Sequence, residues 1–247
     1  MTWSFQLYSA RDFQPWADVF AMVARLGYDG VEGFGGVYSD PAATRAMMDR
    51  HGLSMPTGHF SLDMLENDPD AAFGLARTLG VETIICPHIA ADLRPADADG
   101  WADFGKRLAA VHAACAKAGY PFAWHNHDFE FAALSDGSIP MRIILDAVPE
   151  IGWEIDVAWV VRGGADPMSW IAEYSSRIVA AHVKDMAPAG EAADEDGWAD
   201  VGHGTMDWPA IMTALRDTKT AVFVMEHDKP SDIERFASRS IEAARTF

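Results

Sequence analysis

The densest chemistry in this chain lies near its middle, in Trp124-His125-Asn126-His127-Asp128-Phe129-Glu130-Phe131. A few residues there offer two imidazoles, an amide and two carboxylates. The stretch follows an apolar run, Tyr120 to Ala123, that reads as a strand, so alternation puts His125 and His127 on one face. Polar groups at the end of a buried strand are costly unless something pairs with them or uses them. Three later runs have the same form. Trp153-Glu154-Ile155-Asp156 ends on a carboxylate, with Glu154 on the same face but deeper. Ala180-Ala181-His182-Val183-Lys184-Asp185 ends a strand on His182, and Val224-Met225-Glu226-His227-Asp228 ends one on Glu226. A carboxylate, an imidazole and a carboxylate on consecutive strands can surround one ion, with a fourth ligand from the His125–Glu130 stretch. Such an oxygen-rich set suits one divalent metal, Mn²⁺, Mg²⁺, Co²⁺ or Zn²⁺.

The elements that position these residues repeat. Apolar runs of strand type alternate with amphipathic segments: Trp3–Leu7 then Trp16–Leu26, Gly30–Phe34 then a helix opened by Asp40-Pro41, Leu53–Phe60 then a helix opened by Asp68-Pro69. Val81–Cys86 precedes the longest helix, Asp97–Ala118, and Tyr120–His127 precedes Ile139–Val148. Ile151–Asp156, Ile178–His182 and Ala221–Glu226 complete the strands, the last followed by a helix over Ser231–Ala244. Asp as N-cap with Pro at the first helical position recurs as a start signal. Strands that alternate with helices imply parallel pairing, and eight such units close into a (β/α)8 barrel, an α/β fold in one domain over residues 1–247. No glycine-rich phosphate loop follows the first strand, which argues against an open doubly wound sheet. Glu32, His59, His88, His125, His127, Glu130, Asp156, His182, Lys184, Asp185, Glu226 and His227 all fall at or just after strand ends, the face on which such barrels carry their active sites. Met186–Thr205 is the one long irregular stretch, and its length points to a functional or disordered loop.

Composition bounds the function. The chain has 247 residues, 49% of them hydrophobic, and a formal charge of -18. No basic face for phosphate neutralisation is visible, which argues against nucleic acid as a partner. Two cysteines, Cys86 and Cys115, form no CxxC pair, and the N-terminus shows no signal peptide. No run is long enough to span a membrane, so the expectation is a cytoplasmic protein, with a homodimer compatible with the fold.

These motifs resemble the xylose-isomerase-like barrel superfamily, in the branch usually called sugar phosphate isomerase/epimerase. The most specific pieces are His125-Asn126-His127-Asp128-Phe129-Glu130-Phe131, Glu154-Ile155-Asp156-Val157-Ala158-Trp159 and His182-Val183-Lys184-Asp185. Val201-Gly202-His203-Gly204-Thr205-Met206-Asp207-Trp208 and Tyr28-Asp29-Gly30-Val31-Glu32 also match. The resemblance implies one divalent metal held by a carboxylate from strand five, Asp156, His182 and Glu226. Many relatives carry a glutamate near the position of His125. The His127-x-x-Glu130 spacing favours Glu130 as the fourth ligand here, with His125 as the alternative. The three-metal apurinic-site endonucleases share this barrel. His59 and His88 resemble two of their extra ligands, but Trp159 and Asp196-Gly197-Trp198 stand where others would be, which argues against DNA repair.

The expected chemistry is metal-assisted proton transfer next to a carbonyl of a sugar or polyol ketone, through an enediolate, giving isomerisation or epimerisation. Glu130, Glu226 and His127 are the candidate acid–base groups. Glu32, His59, His88, His125, Trp159 and Lys184 are the candidate substrate contacts, Trp159 as a flat platform for a sugar and Lys184 for an oxyanion or phosphate; the alternative for Glu32 is an ion pair at the barrel bottom, and for Lys184 a pair with Asp185 or Glu154. Loss of a β-hydroxyl would make the enzyme a dehydratase or lyase on a keto-sugar, keto-glycoside or inosose. A non-catalytic sugar-binding barrel is the remaining alternative, since fold alone does not prove activity.

Overall fold

A computed structural model describes residues 1–247. The strands are β1 (Thr2–Gln6), β2 (Gly30–Gly33), β3 (Ser54–His59), β4 (Thr83–Cys86), β5 (Phe122–His125), β6 (Gly152–Asp156) and β7 (Ile178–Val183), then β8 (Asp185–Met186), β9 (Trp198–Ala199) and β10 (Val222–Met225). All but β8 and β9 close into one barrel in the order β1-β10-β7-β6-β5-β4-β3-β2, with parallel pairing throughout. The eight-stranded α/β barrel expected from the alternation is the observed fold. A single cluster of 59 buried apolar residues runs from Phe5 to Ala244, so the chain has one main core. No helix is long and apolar enough to cross a membrane.

Local signals set the helices that hold the strands apart. Asp40, Asp68, Asp166 and Asp207 accept hydrogen bonds from backbone N–H groups of the first turn, each beside a proline in that turn. The helix Trp16–Leu26 stops at Gly27 (φ 85°) and Ala98–Ala118 stops at Gly119 (φ 88°), a left-handed conformation that glycine adopts without penalty.

Register then places the polar strand ends. Asp156 lies opposite His182, and His182 lies opposite Val224, two residues before Glu226. His125 lies opposite Glu154, and Gln6 opposite Glu32.

Three expectations need correction. β5 ends at His125, not at His127, so strand alternation does not place His127. The chain turns there because the Asn126 side chain is drawn sideways to β6. Its Nδ2 donates to the Asp156 carbonyl at 3.1 Å, and its Oδ1 accepts from Asp156 N at 3.0 Å and Trp153 Nε1 at 2.9 Å. Short helices at Leu62–Asn67 and Val157–Arg162 were not anticipated. Met186–Thr205 is not wholly irregular: β8 and β9 pair antiparallel within it, and Ala193–Glu195 forms a 3-10 turn.

Candidate active site

The carboxyl ends of the barrel strands open into a cavity of about 710 Å³. Tyr8, Phe34, Tyr38, Phe60, Trp159 and Trp198 give it aromatic walls, and His59, His88, His125, His127, Glu226 and Asp228 give it polar ones. Close packing is needed at one wall. A Cβ on Gly33 or Gly58 would come within 2.9 Å of the Tyr38 hydroxyl, tighter than real Cβ contacts allow.

Next to Glu226 lies the charged floor. The ligand atoms of Asp156, His182 and Glu226 all lie within 4.8 Å of one another. His182 Nδ1 is 2.8 Å from Glu226 Oε2 and 3.9 Å from Asp156 Oδ2. The other ring nitrogen, Nε2, faces Glu32 Oε1 at 2.7 Å and Glu154 Oε2 at 3.4 Å. His125 Nδ1 meets Glu154 Oε2 at 3.1 Å, and the His125 and His182 ring centroids are 4.5 Å apart. His59, His125, Glu154 and His182 form a second converging group that shares His182.

The residues present fit a divalent cation. Glu32, Glu154, Asp156, Glu226 and Asp228 converge on this floor, and Lys184 is the only lysine among them. Glu32 Oε2 and Glu154 Oε1 are buried and have no hydrogen-bond partner. The protein's own protons answer part of this charge. Burial opposes ionisation of His59, yet the Glu32 and Glu154 carboxylates outweigh it and lift the ring to about 9. Burial is likewise outweighed at His182, which Glu154, Glu226 and Glu32 hold well above the usual histidine range. Buried carboxylates in excess of cations are what oxygen-rich metal sites present.

Glu130 does not join this group. Its Oε1 accepts from Trp124 Nε1 at 3.2 Å and its Oε2 from His127 N at 2.9 Å. Burial pushes the carboxyl up to about 8 in spite of those donors, so near neutral pH it is mostly protonated. Glu130 braces the turn after β5, while the His125 ring lies 4.5 Å from the His182 ring. The His-x-x-Glu spacing brings Glu130 back onto the His127 backbone because a 3-10 turn, Phe129–Phe131, follows the strand.

Two expected substrate contacts are also placed elsewhere. Glu32 is fully buried and does not line the cavity; besides His182 it accepts from Gln6 Nε2 at 2.6 Å. Lys184 is fully buried as well. Its Nζ lies 2.5 Å from Asp228, 3.1 Å from Glu226 and 3.5 Å from Asp156, and 4.5 Å from the centre of the Trp198 ring. It is a counter-ion to the floor and not an exposed anchor for a phosphate. His59, His88, His125, His127 and Trp159 do line the cavity. His127 is held neutral, its ring pushed down to about 3 by burial first and then by Lys184, and its buried Nδ1 has no partner. His203 is exposed, and His227 is buried against Phe236, away from the cavity.

Sequence reasoning missed Asn126, Asp228 and most of the aromatic wall. Asp228 had only a weak signal, a second carboxylate two residues beyond Glu226, because β10 ends at Met225 and strand alternation does not reach it. Tyr8, Phe34, Tyr38 and Phe60 had none, because aromatic residues near strand ends are more often core.

The fold has many solved counterparts. A sugar phosphate isomerase/epimerase from Parabacteroides distasonis superposes with a TM-score of 0.82 at 20% identity, covering 98% of this chain and 94% of that one. The IOLI protein, solved with a bound zinc atom, superposes with a TM-score of 0.77 at 14% identity, covering 100% of this chain and 97% of that one. The rhizopine catabolism protein MocC of Rhizobium meliloti is 24% identical over 239 residues, which span 83% of this chain and 71% of MocC. The family model for xylose isomerase-like TIM barrels matches residues 20–246, and the chain belongs to that family.

Proposed function

We propose that this chain is a metal-dependent isomerase or epimerase that transfers a proton next to the carbonyl of a sugar or polyol ketone. The observation that carries the reading is the convergence of Asp156, His182 and Glu226 within 4.8 Å beside a cavity walled by aromatic rings. The zinc held by the structurally similar IOLI protein accords with it. Asp156, His182 and Glu226 would hold the ion, with His125 as the fourth ligand in place of Glu130. A divalent ion there would polarise the substrate carbonyl and offset the charge of the enediolate.

The chain's own residues divide the remaining work. Trp159 offers a flat face to a sugar ring, 5.4 Å from the His127 ring. His127, neutral and with Nδ1 unpartnered, is available to a substrate hydroxyl or to a proton in transit. Glu226 also lines the cavity and is kept ionised, burial being outweighed by Lys184 and His182. Lys184 lies between Glu226 and Asp228, 3.1 and 2.5 Å away, and fixes both carboxylates.

The test is deuterium uptake in D₂O with purified protein, first stripped of metal and then reloaded. Keto sugars, 3-keto glycosides and inososes form the substrate panel. Metal-dependent exchange at the carbon next to the carbonyl is expected, lost in Asp156→Ala and Glu226→Ala. Product analysis assigns the outcome: return of the proton gives an isomer or epimer, and loss of a β-hydroxyl would reassign the enzyme as a lyase. Wild-type behaviour in both variants, with no metal bound, would sink the proposal.

A further inference from the structure

We infer that Glu32 is a positioning residue that orients His182 toward the metal, and that Glu154 does the same for His125, with His59 clamped between the two carboxylates. The inference rests on the metal reading above and adds a layer of residues beneath it.

An imidazole has two ring nitrogens, and the partner of one decides what the other can do. His182 Nε2 is 2.7 Å from Glu32 Oε1, while Nδ1 faces Glu226 and Asp156. A carboxylate on Nε2 keeps a proton there and leaves the Nδ1 lone pair for an ion, and such outer partners also raise the basicity of the ligand. His125 is held by its other nitrogen: Nδ1 is 3.1 Å from Glu154 Oε2, which leaves Nε2 for the cavity side. Both imidazoles therefore rest on a buried carboxylate, and both carboxylates are fully buried.

Two like charges at this depth need a common cation. His59 Nε2 lies 2.7 Å from Glu154 Oε2 and 3.1 Å from Glu32 Oε1, so one ring N–H is shared between them. The His59 and His182 rings are nearly parallel, 6° apart with centroids at 5.4 Å, which keeps both Nε2 atoms facing the carboxylate pair. Gln6 Nε2 completes the hold on Glu32 at 2.6 Å. His59, His125, Glu154 and His182 could instead form a second cation site. That reading requires both nitrogens of His182 to bind metal at once, with no proton left on the ring, which is chemically unfavourable.

Glu32→Gln and Glu154→Gln test the inference through Co²⁺ binding, measured by chelator competition and by the visible spectrum of the bound ion. Thermal unfolding reports folding. Glu32→Gln should weaken Co²⁺ roughly 10- to 100-fold, the usual effect of losing such a partner, and shift the Co²⁺ bands while the protein stays folded. Glu32→Asp, which keeps a carboxylate on a shorter arm, should recover part of the affinity. Wild-type affinity and spectrum in both glutamine variants would overturn the inference and leave the metal reading standing. Two ions per chain in the wild type, falling to one in Glu154→Gln, would replace it with the second cation site. Absence of Co²⁺ binding in the wild type would overturn the metal reading itself and this inference with it.

Discussion

The ends of β5 and β7 carry polar runs of similar density and use them in opposite ways. After β5, His125 and His127 reach the cavity, while Asn126 and Glu130 turn inward to hold backbone: Asn126 ties β5 to Asp156, and Glu130 ties Trp124 to His127. At the β7 end, neither His182, Lys184 nor Asp185 lines the cavity. His182 and Lys184 are fully buried in the charged floor, and Asp185 points the other way into the following loop. The Asp185 carboxylate accepts from the backbone N–H groups of Met186, Gly202, Gly204 and Met206. A side chain on Gly204 would collide with that carboxylate, which explains the glycine. The β5 end thus presents chemistry on a braced turn, and the β7 end supplies the floor and anchors the loop that carries Asp196 and Trp198 to the cavity.

Breaking the floor should have the largest effect. Asp156→Ala and Glu226→Ala are expected to lose metal and to reduce deuterium exchange by ~10²–10³-fold or more, the scale of losing one pre-aligned electrostatic group. Lys184→Met should act mainly on stability. It leaves Asp156, Glu226 and Asp228 without their ammonium, and removal of one partner of a buried ion pair costs about 3–5 kcal/mol. A fall of roughly 6–20 °C in melting temperature follows from about 2–4 °C per kcal/mol for a chain of this length. Added divalent metal should recover part of that loss, because it restores positive charge to the same carboxylates.

The anchor on the other side of β7 comes next. Asp185→Ala should cost about 1–3 kcal/mol, the penalty for stranding buried donors, and raise KM more than it changes metal affinity. Isothermal metal titration together with steady-state kinetics separates the two. Equal losses in metal binding and KM would mean that the loop and the floor are one unit.

At β5 the sharpest test is pH. Burial raises the Glu130 carboxyl to about 8, above the unfolded value of about 4.3. Its contribution to stability is therefore fully present below about pH 4.3 and is lost as the pH rises through 8, because the unfolded chain is ionised first. Glu130→Gln removes that dependence. Its melting temperature relative to wild type should rise between about pH 5 and pH 8 and level off above that, with little change in Co²⁺ affinity. Loss of Co²⁺ binding in Glu130→Gln would restore Glu130 as a ligand. The smallest effect is expected for His203→Ala, since that side chain is exposed and off the cavity; activity within about 2-fold of wild type is the result to check.

Much of this molecule was legible in one dimension. The barrel followed from the alternation of apolar runs with capped amphipathic segments, because parallel strands require crossover helices and eight units close. The convergence of Asp156, His182 and Glu226 followed too, since consecutive parallel strands bring their ends together. Direction did not. Whether Glu32 faces a substrate or the underside of His182 depends on depth in the barrel, which register sets and residue type does not. Lys184 reads as a free cation until three carboxylates from β6 and the β10 end are placed around it. Glu130 reads as a ligand until the turn after His125 folds it back. The sequence by itself determined the fold and the set of groups available for chemistry, through periodicity and hydrogen-bonding type. Only the tertiary structure decided which of those groups face the cavity and which brace it, because burial and pairing depend on neighbours far apart in the chain.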